Sequence, residues 1–219
     1  MFEEKSLAAS LDGRCSDIPA AAEGRHSCAG SGRRITLDPA LSSDETFLYQ
    51  TFASTRADEM ALTGWNAAQQ EAFLRMQYEA QRSSYRMQMP GAEYWVIRSD
   101  EIAAGRLILN RTPEEIHVVD IALLPQFRGL GIGGTLMRAI MKDAAQAAEA
   151  VTLHVERFNP ALRWYERLGF SVVSSGPIYL EMVWRLGSQT AGSDDGKGSE
   201  SEAGTGAVET GVACGDSSD

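Results

Sequence analysis

The chain has 219 residues, 43% hydrophobic and 8% aromatic, with a formal net charge of −10. The apolar fraction excludes wholesale disorder, and the length suits one domain. The acidic balance argues against a nucleic-acid partner, which calls for a basic face, and against membrane docking through a polybasic patch.

That charge is unevenly spread. Residues 1–32 carry 3 Lys+Arg against 5 Asp+Glu, residues 33–186 carry 16 against 18, and residues 187–219 carry 1 against 7. The last segment also holds 8 Gly and 6 Ser with no aromatic, so it cannot bury enough apolar surface to offset the entropy of ordering it. Residues 187–219 therefore read as a disordered acidic tail, residues 1–32 as a disordered leader rich in Ala, Ser and Gly, and residues 33–186 as a nearly neutral folded domain. Cys15, Cys28 and Cys214 all fall outside 33–186. No disulfide framework is implied, and an odd count fits a reducing compartment. The start, Met1-Phe2-Glu3-Glu4-Lys5, is not a signal peptide, and no apolar run approaches the roughly 18 residues of a membrane span. These features predict a cytoplasmic protein.

In chain order, Ile35-Thr36-Leu37, closed by Asp38-Pro39, predicts a first strand. Ser42-Ser43-Asp44-Glu45 predicts a helix start, with hydroxyl caps and acids in the first turn. Asn66 with Gln69 forms a capping pair for a longer helix to about Met87, ended by Met89-Pro90-Gly91. The period then changes. Residues 93–98, 102–110 and 116–124 are β-rich runs joined by short turns, which predicts an antiparallel meander. A glycine-rich loop at 129–134, a helix over 133–148 and a strand over 151–155 make a βαβ-like step. A short helix over 160–168 is expected to start with Asn159 at the N-cap and Pro160 at N1, and to close at Gly169. Residues 170–173 and 178–184 are the final strands. The order β-α-α-β-β-β-α-β-α-β-β describes one mixed α/β domain.

The chemistry concentrates in Pro125-Gln126-Phe127-Arg128-Gly129-Leu130-Gly131-Ile132-Gly133-Gly134. Four glycines at a strand-to-helix junction allow close backbone approach to a ligand. The helix start supplies unpaired N–H groups and a positive dipole end, where phosphates bind. Arg128 adds a charge suited to bidentate phosphate contacts. A P-loop is excluded, because Thr135-Leu136 follows Gly134 in place of Lys and Ser/Thr. Gly129, Gly131 and Gly134 do spell the dinucleotide fingerprint, with Glu149 about 20 residues on. A nicotinamide oxidoreductase nonetheless fits poorly, since the loop comes late and leaves room for one βαβ step only.

Arg128, Gly131 and Gly133 write R-x-x-G-x-G directly after Ala122-Leu123-Leu124-Pro125. A second block runs from Leu153-His154-Val155-Glu156-Arg157-Phe158-Asn159 through Pro160-Ala161 to Tyr165-Glu166-Arg167-Leu168-Gly169-Phe170. With these two blocks the sequence resembles the GNAT superfamily of N-acetyltransferases, over roughly 34–186. The resemblance implies a mixed, mostly antiparallel central sheet with a split between two parallel strands, flanked by helices. It implies acetyl-coenzyme A as co-substrate and acetyl transfer to a primary amine by direct attack in a ternary complex.

Carried over residue by residue, the resemblance puts the coenzyme A diphosphate on Arg128, Gly129, Leu130, Gly131, Ile132, Gly133 and Gly134. The pantetheine arm would lie along Ala122, Leu123 and Leu124 like a short added strand. A bulge in that strand, in the family, opens the slot for the arm. Asn159 matches a coenzyme-contacting Asn, or serves as a helix cap. Tyr165 matches the position that protonates the leaving thiolate, or is a core tyrosine beside Ala161, Trp164 and Leu168. Asp120 is the only acid within 116–124, where a carboxylate needs a partner or a function. The resemblance implies a base or a water-relaying acid on this strand, so Asp120 serves the amine directly or through a water, or is a structural hydrogen-bonding group. His117 and His154 read as packed or solvated residues, and no metal-ligand spacing occurs.

The acceptor is expected between the first two helices and the last hairpin. Trp65, Tyr78 and Tyr85 are wall candidates that also suit a core, and Asp58 and Glu59 could draw a cationic amine or cap a helix. A small-molecule or peptide amine, an antibiotic, polyamine, amino acid or protein N-terminus, all fit, and a homodimer is open. The competing reading is a coenzyme A-binding interaction module without catalysis, docking through the acidic tail.

Overall fold

The computed structural model describes residues 26–30, 32–147 and 149–187. Eight strands form one sheet: β1 (His26–Gly30), β2 (Arg33–Pro39), β3 (Glu93–Ser99), β4 (Ile102–Arg111), β5 (Glu115–Leu123), β6 (Ala150–Glu156), β7 (Ser171–Ser175) and β8 (Tyr179–Trp184). The helices are α1 (Glu45–Ser54), α2 (Ala57–Ala61), α3 (Ala67–Gln88), α4 (Ile132–Ala147) and α5 (Leu162–Arg167). Strand order is β1-β2-β3-β4-β5-β6-β8-β7. Every neighbouring pair is antiparallel except β5–β6, which is parallel. The mixed, mostly antiparallel sheet with one parallel junction is as expected.

Alternation along the strands sorts the two faces. Trp95, Ile97, Leu107, Leu109, Ile116, Val118, Val151 and Leu153 point to one side, where they meet α4 and α5 in the main core. On α4, Ile132, Leu136, Met137, Ile140 and Ala144 recur at helical spacing and are buried against that face. Truncating Leu136 or Ile140 to Ala would cost about 2–5 kcal/mol. The opposite face carries α1 and α3. There Tyr85 of α3 packs on Ile108 and Val119, and Tyr49, Phe52, Leu74 and Tyr78 join the two helices.

Local signals act largely as read. Asn66 and Gln69 exchange side chain-to-backbone bonds, both 3.0 Å, at the start of α3. Gly169 ends α5 with φ 94°. Three readings are corrected. The serines do not cap the first helix. A 3-10 turn, Ser42–Asp44, precedes α1, and it is Asp44 Oδ2 that accepts from the Leu41 N–H at 2.8 Å. A carboxylate reaches that orphan donor and also favours the dipole end. Helix α5 starts at Leu162, with Ala161 at its N-cap, so Asn159 and Pro160 lie outside it. Finally, residues 26–30 of the expected leader form β1, in register with β2 from His26↔Leu37 to Gly30↔Arg33. Backbone pairing to a neighbouring edge does not require the apolar alternation that this stretch lacks. The rest of the leader, except Gly32, and the tail beyond Gly187 lie outside the described residues.

Candidate active site

The geometry of the site begins where β5 and β6 part. Their parallel ladder runs only from Glu115↔Ala150 to Val118↔Leu153. At that point the β4–β5 register shifts: Leu109 faces Val118 but Ile108 faces Asp120, so Val119 is an extra residue on β5. Such a bulge bends its strand and increases local twist. It turns β5 away from β6, and β6 continues through Glu156 paired to β8 alone. A slot opens between the two parallel strands. The bulge also puts Val119 and Asp120 on the same face, the one that carries α1 and α3. The sequence named the bulge only through the resemblance, since no local composition marks it.

Downstream, Pro125–Phe127 makes a turn of 3-10 helix and the glycine loop delivers the chain into α4. Gly129 and Gly131 have φ 69° and 74°, a left-handed conformation that strains a side chain-bearing residue. The first bond of the helix ladder runs from the Thr135 N–H to the Gly131 carbonyl, 3.0 Å. The N–H groups of the preceding residues therefore form the dipole end of α4, at the slot. Arg128 sits at the root of this loop. Its Nε donates to the Leu123 carbonyl at 3.0 Å and its Nη2 to the Ser54 carbonyl at 3.2 Å. The guanidinium thus fastens the loop to the end of β5 and to the C-terminus of α1.

Asp120 is fully buried and its Oδ2 lies 2.5 Å from Arg106 Nε on β4. Arg106 is itself 4% exposed and donates through Nη2 to Gln81 Oε1 at 3.2 Å. Burial pushes the Asp120 carboxyl up, against the pull of Arg106 and then of Arg56. Arg56 follows α1, with its guanidinium 3.8 Å from the Phe52 ring centre. The Tyr85 phenol, pushed up mainly by burial, feels Asp120, Arg106, Arg56 and Tyr179 of β8. Side chains from β4, α3 and the end of α1 thus bear on one carboxylate of β5. Sequence reasoning found Asp120 and Tyr85 but missed Arg56 and Arg106. Arg106 carried a usable signal: it is the only charged residue within 102–110.

Tyr165 is fully buried, with its ring 4.8 Å from Trp164 and 5.7 Å from Phe170. Asn159 Oδ1 accepts from the Ala161 N–H at 2.9 Å, which braces the turn into α5. His117 Nδ1 is 2.8 Å from Thr152 Oγ1 and its ring lies 5.2 Å from that of His154. Burial, then His154, lowers the His117 pKa to about 4. Among the described residues no cluster of three or more His, Cys, Asp or Glu is placed to hold a metal.

Beside Arg106 lies a cavity of about 220 Å³ between α1, α3 and strands β3 and β4. Tyr78 and Tyr85 line it, whereas Trp65 packs on Phe73 away from it and Asp58 and Glu59 stand exposed on α2.

Comparison with known proteins agrees with this architecture. Residues 90–172 match the family model described as an acetyltransferase (GNAT) domain. The PaiA N-acetyltransferase of Thermoplasma acidophilum, solved in complex with coenzyme A, superposes with a TM-score of 0.53 at 17% identity, over 69% of this chain and 99% of that one. An N-alpha-acetyltransferase of Sulfurisphaera tokodaii is 48% identical over 60 residues, 26% of this chain and 36% of that protein. A mycothiol acetyltransferase of Corynebacterium glutamicum is 26% identical over 160 residues, 68% of this chain and 55% of that protein. The chain spans about half the length, or less, of these curated relatives. The fold is like that of the coenzyme A-bound N-acetyltransferase, and the GNAT domain match covers the strands and helices from β3 through the start of β7.

Proposed function

We propose that the protein transfers the acetyl group of acetyl-coenzyme A to a primary amine, by direct attack in a ternary complex. The observation that carries this reading is the end of the β5–β6 ladder at Val118 and Leu153, with the dipole end of α4 beside the slot so made. An extended arm fits between the strands there, and a diphosphate fits the loop amides. The mycothiol and N-alpha-acetyltransferase relatives support the reaction class.

In this reading the amides from Gly129 through Gly134 hold the diphosphate, with the dipole of α4 favouring its charge. Arg128 supports them by fixing the loop. The pantetheine arm adds to the edge of β5 along Ala122, Leu123 and Leu124. Asn159 contacts the coenzyme from the far side of the slot while bracing its own turn. The amine nitrogen attacks the thioester carbonyl. Asp120, made more basic by its burial, takes the proton that the amine must lose. Collapse of the tetrahedral intermediate breaks the carbon–sulfur bond, and the Tyr165 hydroxyl protonates the departing thiolate.

The test is thiol release from acetyl-coenzyme A across a panel of amines, with the wild-type chain and Asp120→Asn. Wild-type turnover with at least one amine is expected. Asp120→Asn should lower kcat by roughly 10²-fold or more. Its deficit should shrink as pH rises, because more of the amine is then already neutral. Binding of acetyl-coenzyme A without turnover on any amine would favour the non-catalytic module instead.

A further inference from the structure

We infer that the cavity between α1, α3 and strands β3 and β4 selects amine acceptors that also carry a carboxylate. This rests on the acetyl-transfer reading, because it places the acceptor at the Asp120 end of that cavity.

The argument is one of charge and of an unused donor. The lining contains Arg82, Arg86 and Arg106 against a single acid, Glu45. Glu45 is already occupied: Arg82 Nη1 lies 2.9 Å from its Oε1, and the Tyr78 hydroxyl also bonds to it. Arg106 is matched by Asp120. Arg86 has no acidic partner among the described residues and stands exposed on α3 at the cavity wall. Across from it, the Tyr94 hydroxyl is buried and has no hydrogen-bond partner among the described residues. Its surroundings are cationic, with Arg86 the strongest charge acting on it, followed by Arg106 and Arg82. A buried hydroxyl left without an acceptor is costly, and a carboxylate supplies that acceptor together with the missing negative charge.

Size and position narrow the class. A volume of about 220 Å³ is about seven times the roughly 30 Å³ that one water occupies in the liquid, which suits a molecule or side chain of amino-acid size. Arg106 forms both the cavity wall and the partner of Asp120. A carboxylate held at Arg86 and Tyr94 therefore directs the rest of the acceptor toward the carboxylate proposed as base. The same field repels an acceptor of several positive charges and favours the neutral form of the attacking amine.

Two measurements test this with the full chain. The first compares thiol release with β-alanine, glutamate and an N-terminal aspartyl dipeptide amide against propylamine. The carboxylate-bearing amines should show kcat/KM at least about tenfold higher, the worth of one charge-assisted hydrogen bond. Arg86→Ala and Tyr94→Phe should remove that advantage through KM while leaving propylamine turnover and acetyl-coenzyme A affinity unchanged. A dipeptide amide that outperforms both free amino acids assigns the carboxylate to a peptide rather than a free metabolite. The second is calorimetry with glutarate, which has no amine and cannot be acetylated. Saturable binding, weakened about tenfold or more by Arg86→Ala, is expected. No glutarate binding with equal rates for β-alanine and propylamine overturns the inference and leaves acetyl transfer standing. No thiol release with any amine overturns the transfer reading, and the acceptor role of the cavity with it.

Discussion

The guanidinium of Arg128 bonds the carbonyl of Ser54, 74 residues away in sequence, at 3.2 Å. One side chain therefore joins the loop at the dipole end of α4 to the last turn of α1. Arg128→Glu should abolish acetyl-coenzyme A binding, and Arg128→Ala should weaken it by about tenfold or more, since two charge-assisted bonds that hold the loop are lost. Arg128→Lys should recover only part, because an ammonium cannot span both carbonyls with a planar fork. Titration calorimetry measures all three, and full affinity in Arg128→Ala would show that the loop holds its shape unaided.

Tyr165→Phe preserves the ring that packs on Trp164 and Phe170. Thermal stability and acetyl-coenzyme A affinity should stay close to wild type. Turnover should fall by roughly 10²-fold, the usual worth of a positioned acid. An unchanged kcat would leave Tyr165 as a core residue only.

His117 has a pKa lowered from 6.5 to about 4, chiefly by burial. The unfolded chain thus binds a proton at that site across a window where the folded chain does not. Stability should rise with pH between about 4 and 6.5 and be lost as pH falls through that range. His117→Gln should flatten the urea midpoint over this window while leaving the slope near neutrality alone. A midpoint profile identical to wild type would mean that other groups set the acid limb.

Gly105 on β4 lies so close to β5 that a Cβ there would stand 2.1 Å from the Ala122 carbonyl oxygen. Backbone must move to admit a methyl group, at about 1–3 kcal/mol or more. Gly105→Ala should therefore lower Tm and also weaken acetyl-coenzyme A binding, because the displaced residue belongs to the strand proposed to pair with the pantetheine arm. A drop in Tm with undiminished affinity would separate Ala122 from the coenzyme.

Much of this was legible before any coordinates. The change of period at residue 93, the Asn66–Gln69 exchange and the glycine loop mark structure through neighbours in sequence, which a linear reading sees. Asp120 stood out because an acid in an apolar strand needs a reason. The same logic applied to Arg106 would have found its partner. Arg56 was opaque, for it sits between two helices and meets Asp120 only through the packing of α1 on β4 and β5. β1 was hidden for another reason: its pairing is a matter of backbone, and His26, Ser27 and Cys28 carry no apolar alternation to announce it. The sequence places the start of α5 two residues early, because Asn followed by Pro looks the same in a capped helix and in the turn that precedes one.

The ladder of four residue pairs between β5 and β6 has a mechanical consequence. Five strands lie on one side of that junction and three on the other, each group knitted by antiparallel pairing. The sheet is therefore two stiff plates on a short hinge line, with α4 crossing from one to the other. An arm that adds to the edge of β5 would lengthen the line and clamp the plates, so occupancy should be readable as slowed amide exchange in β6 and β8, across the junction from the strand it pairs with.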